Sequence, residues 1–154
     1  MSRDARGPTR IGKGSWPRGK SVAAVAPDDP RLPDDRFRDG IRLFNEGYFF
    51  ESHEVFEDIW HGERGQPRLF LQGLIQICAG FHHYQNGNYR GSAELLGRGT
   101  QKMRAYPDWY MGIDAAKLLR QVDEARAGVE GLRDGKRDAG RIEFPKITMT
   151  DSPE

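Results

Sequence analysis

Along the middle of this chain, apolar residues recur three and four positions apart, the spacing of one face of a helix. Phe37, Ile41 and Phe44 form the first such run, with Asp34 or Asp35 placed to cap it and Gly47 placed to end it. A second run extends from about Phe49 to His61 and is closed by Gly62. Pro67 suits the first turn of a third, which reaches Asn86 at the head of an Asn-Gly-Asn turn. A fourth covers about Tyr89 to Arg104, ahead of Pro107, and Asp114 caps a fifth that carries Leu118, Leu119, Val122 and Val129. No segment alternates convincingly with period two. The pattern predicts an all-α fold of about five helices, arranged as antiparallel hairpins in a single compact, bundle-like domain.

An internal repeat runs through the first four helices. Phe44-Asn45-Glu46-Gly47-Tyr48-Phe49 aligns with Tyr84-Gln85-Asn86-Gly87-Asn88-Tyr89, an offset of 40 residues that then pairs Ser52 with Ser92 and Phe56 with Leu96. Each unit has an aromatic ending one helix, a glycine turn, an aromatic opening the next, and a small residue at close helix contact. That logic resembles a tetratricopeptide hairpin, although two units fall short of the three or so that a solenoid needs. Generic antiparallel hairpins fit the same pattern.

Composition sets the boundaries. Of the 31 Leu, Ile, Val and Phe residues in 154, 24 lie within 37–132. Residues 1–33, with seven Lys/Arg scattered among prolines and glycines, read as a disordered basic arm. The helical domain spans 34–147, with Ile142, Phe144 and Ile147 placed to dock on the core, and 148–154 form a flexible tail. With 24 basic and 23 acidic residues, the formal charge is +1. Such a balance speaks against nucleic acid as a partner and gives no reason to expect an anionic membrane surface. No apolar run nears the ~20 residues of a membrane span, and the N-terminal region lacks the apolar stretch of a secretory signal. One cysteine, Cys78, excludes an internal disulfide framework. A soluble, cytoplasmic protein is the expectation.

The chemistry concentrates in one stretch. All four histidines (53, 61, 82 and 83) lie within 31 residues. On the second helix, His53, Glu54, Glu57 and His61 share a stripe beside the apolar face, and the i, i+4 steps His53–Glu57 and Glu57–His61 let neighbours meet. On the third helix, Gln72, Gln76 and His83 form a polar stripe that could oppose it, with His82 pointing elsewhere. His53-Glu54-x-x-Glu57 departs from the zinc-protease pattern at its second ligand position, and no distant third ligand stands out. Three other uses remain open. His53, Glu57, His61 and His83 suit a divalent metal such as Zn, Mn, Fe or Ni. Glu54 or Glu57 suits metal-free acid–base catalysis. A buried, purely structural hydrogen-bond network uses the same residues.

The string Phe44-Asn45-x-Gly47-x-Phe49-Phe50-Glu51-x-His53-Glu54-x-x-Glu57-x-x-Trp60 resembles the signature of domain-of-unknown-function family 309. Leu71-Gln72-Gly73-Leu74-Ile75-Gln76, His82-His83 and Gly87-Asn88 match it as well. The resemblance covers roughly residues 34–147 and implies a compact all-helical domain without an assigned activity. It implies Glu51, His53, Glu54, Glu57, Trp60, Gln72 and Gln76 as the site positions, so Glu51, Trp60, Gln72 and Gln76 join the list as ligand-binding candidates. Two functional readings follow. One is a His/Glu-lined pocket for a metal or small ligand. The other is a helical adaptor that binds a protein or peptide, with the His/Glu cluster purely structural.

Overall fold

Turn chemistry decides where each helix begins and ends. In a computed structural model that describes residues 34–136 and 142–149, helix α1 (Asp35–Asn45) starts where the Asp34 carboxylate accepts the Phe37 N–H at 2.9 Å. It stops at Gly47, whose φ of 87° is a left-handed conformation that suits glycine. There the Tyr48 N–H reaches back to the Leu43 carbonyl and the Gly47 N–H to that of Phe44. Helix α2 (Phe49–Gly62) follows at once, then α3 (Pro67–Gln85) with its proline in the first turn. Gly87, at φ 81°, ends α3 by the same pair of bonds, Asn88 N–H to His83 and Gly87 N–H to Tyr84. Helix α4 (Tyr89–Met103) is capped by the Asn88 side chain, and α5 (Ala115–Arg133) by Asp114.

The forty-residue repeat is written into this geometry. Phe44 packs edge-on against Phe49 across the first turn, with ring centroids 5.1 Å apart, and Tyr84 packs on Tyr89 across the second at 5.7 Å. Ser52 and Ser92 are both fully buried. The same offset relates a further pair: a Cβ on Gly40 would lie 2.6 Å from the Phe56 ring, and one on Gly80 would lie 2.8 Å from Leu96. Each unit thus closes its hairpin with a glycine facing a large apolar side chain. The Ser52 hydroxyl donates to the Gly40 carbonyl at 2.8 Å, fixing the first crossing.

The helices pack in chain order, each against the next, and α3 meets α4 most extensively. Gly73 and Gly99 make that closeness possible, because a Cβ on either would come within 2.8 Å of the other's carbonyl. The core is aromatic and aliphatic: Phe37, Phe44, Phe49, Phe56, Phe70, Phe81, Leu71, Leu74, Ile77 and Leu96 are all essentially inaccessible. Tyr106 stitches the start of α3 to the chain after α4. Its hydroxyl accepts the Phe70 N–H at 3.0 Å and donates to the Gln66 carbonyl.

Five helices are found among the described residues, as the periodicity predicts. The addition is a two-stranded antiparallel hairpin, β1 (Trp109–Tyr110) with β2 (Ile113–Asp114). Its turn places Met111 at φ 53° and Gly112 at φ 78°, the left-handed pair that tight hairpins require. Strands of two residues are too short for alternation to be visible in the sequence. Residues 142–149 run extended across the helices, and Phe144 and Ile147 pack on the core as expected. The basic arm over 1–33 and most of the tail over 148–154 lie outside the described residues.

Candidate functional site

Helix α3 has three distinct sides, and they locate the candidate residues. Cys78 faces α2, with its sulfur 3.5 Å from the Ser52 hydroxyl; its burial pushes the thiol pKa up to about 12, so it is inert packing. Gly73 and Gly80 face α4, while Phe70, Leu74, Ile77 and Phe81 fill the core. At about 100° per residue, Gln72, Gln76, Ala79 and His83 fall on the strip between the α2 and α4 sides, opposite the core. Gln72 is 2% exposed and Gln76 6%. The glutamines therefore lie between α2 and α4 and do not form a wall that faces α2 alone.

On α2, His53 and Glu57 stand one turn apart beside the buried Trp60, and both are partly buried. Glu51, Glu54 and His61 are exposed. Burial lowers the His53 pKa and outweighs the opposing pull of Glu57 and Glu54, while nearby His82 adds to the lowering. His53 is thus neutral at pH 7. Its ring lies nearly parallel to that of Phe50, with centroids 6.1 Å apart, and Phe50 also meets His82 at 5.3 Å.

His82, expected from the helix pattern to point elsewhere, is the α3 histidine that joins His53. His83 is engaged elsewhere. Because the Asn88 carbonyl oxygen accepts the Gly91 N–H, its amide nitrogen is left to donate to His83 Nδ1, at 3.1 Å. The two histidines of α2 also stay apart: eight residues separate His53 from His61, about 12 Å of helix rise. Among the described residues, no group of three or more His, Cys, Asp or Glu side chains is arranged to hold a metal ion.

Trp60 lies about two turns further along α2 than His53. The Arg68 guanidinium lies 4.1 Å from the centre of its ring and donates to the carbonyls of Trp60 (2.8 Å) and Glu63 (2.7 Å), closing the C-terminus of α2. Three buried polar atoms on these helices have no hydrogen-bond partner among the described residues: His53 Nδ1, Trp60 Nε1 and Gln76 Oε1.

One neighbour was not expected. Lys102 of α4 is partly buried, and burial together with nearby Arg98 lowers its pKa. It lies beside Gly73, whose Cβ would sit 3.4 Å from that of Lys102. The signal for it is the glycine pair Gly73/Gly99, which draws α4 onto α3 and turns a surface lysine into a flank of the strip.

These features define a class: a five-helix domain built from two repeated hairpins and carrying a polar strip along its central helix. Residues 37–95 match the family model described as Domain of unknown function (DUF309), which bears out the resemblance drawn from the motif. The match takes in all of α2 and α3, and with them every candidate residue of those helices. An uncharacterized protein of Aquifex aeolicus (strain VF5) is 24% identical over 82 residues, covering 53% of this chain and 25% of its own length. The uncharacterized protein YpuF of Bacillus subtilis (strain 168) is 25% identical over 87 residues, 53% of this chain and 49% of its own. The chain thus spans between a quarter and about half the length of these curated relatives. No helix among the described residues is long and apolar enough to cross a membrane.

Proposed function

We propose that the strip bounded by His53, Glu57 and Trp60 on α2, Gln72 and Gln76 on α3 and Lys102 on α4 binds a small polar organic molecule. The observation that supports this reading is the set of three buried, unpartnered atoms. A buried donor or acceptor left without a partner costs about 1–3 kcal/mol, and folded proteins keep few of them. Sites that a ligand completes are where such costs persist.

The atoms also describe the ligand. Trp60 Nε1–H asks for an acceptor, Gln76 Oε1 asks for a donor, and neutral His53 can serve either role. Glu57 and Lys102 add one charge of each sign. Groups that carry N–H and C=O together, such as an amide, a ureido group or a nucleobase, supply what each of these atoms lacks. A divalent metal meets them less well, because His53, Glu57, His61 and His83 do not converge. Glu54, exposed at the edge, and Glu57 are the carboxylates nearest His53.

The test is a titration of isotopically labelled protein with acetamide, glycinamide, uracil and adenine, with zinc chloride as a metal arm. The Trp60 indole N–H is assigned from Trp60→Phe. At least one organic probe is expected to move that signal and the His53 ring signals, and Glu57→Gln is expected to weaken the response. Silence from every organic probe overturns the reading; a zinc response confined to His53 and Glu57 replaces it with a metal site.

A further inference from the structure

A second feature lies on the other side of α3. Residues Ile142–Met149 run antiparallel to α5: Ile142 lies against Gly128, Lys146 beside Gln121, and Thr148 beside Asp114 and Lys117. The segment also crosses the ends of α1 and α3, so it bridges the three odd-numbered helices.

Side chains hold it by its backbone. Asn45, in the last turn of α1, accepts the Ile147 N–H at 2.7 Å and donates to the Ile147 carbonyl at 3.0 Å. Gln121 accepts the Lys146 N–H at 2.9 Å, and the Asp114 N–H donates to the Thr148 carbonyl at 2.9 Å. Two side chains anchor the segment. Phe144 enters an aromatic nest of Phe49, Phe81 and Tyr84 with centroids 5.0–5.7 Å away, and Ile147 is 3% exposed. Between them Lys146 donates from Nζ to the Asn45 carbonyl at 2.7 Å, a cation on the negative end of α1.

This is the chemistry of peptide recognition. A paired side-chain amide asks only for a peptide bond, and the two anchors three residues apart supply selectivity. The groove is also wider than its occupant. A cavity of about 540 Å³ remains between the segment and the α5 residues Gln121, Glu124 and Gly128. We propose that this groove is a peptide-binding site which residues 142–149 occupy in cis. An extended segment of a partner protein takes their place, with an aromatic anchor, a basic residue two positions later and an aliphatic residue directly after it. The proposal is independent of the ligand strip, which lies on a different side of α3.

The test uses a fluorescein-labelled peptide with the sequence of residues 142–149. It is added to the full chain and to the full chain carrying Phe144→Ala and Ile147→Ala, which weaken the cis occupant. Fluorescence polarisation should show at least tenfold tighter binding to the double variant, and adding Asn45→Asp should remove at least tenfold of it. No binding to a double variant that circular dichroism shows to be folded overturns the proposal. If that variant does not fold, hydrogen exchange of the wild type decides. The Lys146 and Ile147 amides should exchange at least a hundredfold faster than those of Leu74 and Ile77. Equal rates place the segment in the cooperative core and overturn the proposal.

Discussion

Replacing Gln76 by leucine should make this protein more stable. Gln76 is 6% exposed, and its Oε1 finds no partner among the described residues. An acceptor left in that state costs about 1–3 kcal/mol. Leucine removes the acceptor, has a similar volume and adds apolar surface at a buried position, so most of that cost is recovered. For a domain of this size 1 kcal/mol moves the melting temperature by about 4 °C, which gives an expected rise of roughly 4–12 °C. Calorimetry reads the shift, and urea unfolding should show a higher midpoint at unchanged slope. The same variant should lose its response to the amide-type probes. A fall in stability of about 1 kcal/mol or more would refute the reasoning, because it would mean that the Gln76 amide is bonded within the fold and awaits no ligand.

Three further outcomes are expected. Tyr106→Phe removes both hydrogen bonds of the Tyr106 hydroxyl, to the Phe70 N–H and the Gln66 carbonyl, so chemical denaturation should show a loss of about 1–3 kcal/mol. Gly99→Ala drives a methyl to within 2.7 Å of the Gly73 carbonyl and Ile77 and should cost about 1–3 kcal/mol, or more, by the same measurement. Burial lowers the pKa of His53, and of His83, in the folded state, so the unfolded chain binds the extra protons. Stability is therefore full above the ordinary histidine pKa of about 6.5 and falls as pH drops through the lower folded values. Urea unfolding at pH 7.5 and 5.5 should show this loss in the wild type and a smaller one in His53→Asn; an unchanged difference would remove His53 as its source.

Most of the architecture can be read from the sequence because it rests on local rules. Asp34, Asn88 and Asp114 cap as their positions demand, and Gly47 and Gly87 stop helices as only a residue tolerant of positive φ does well. The repeat is legible because both hairpins need the same small and aromatic residues at the same contacts. What the sequence could not supply is rotation. Helix periodicity places the stripe on α2, but which part of α3 it meets depends on how the Ser52–Cys78 contact and the Gly73–Gly99 contact turn that helix. A difference of one position, His82 for His83, is a turn of 100°, and only packing decides it. Lys102 was hidden for the same reason, since its burial depends on two glycines in different helices.

The repeat also provides an internal control. Positions that build the hairpin agree between its halves: Gly40 with Gly80, Phe44 with Tyr84, Gly47 with Gly87, Ser52 with Ser92. Positions of the polar strip do not. His53 answers to Ala93, Glu57 to Gly97 and Trp60 to Thr100. In the second half, Arg126 of α5 lies over Gly97 and donates to the Ala93 carbonyl at 3.0 Å, so a protein side chain fills the space that the first half lines with a histidine and a carboxylate. One hairpin is finished by the chain itself, and its twin keeps polar groups at the matching places. Transplanting Ala93, Gly97 and Thr100 into the first unit would therefore separate scaffold from chemistry within a single molecule.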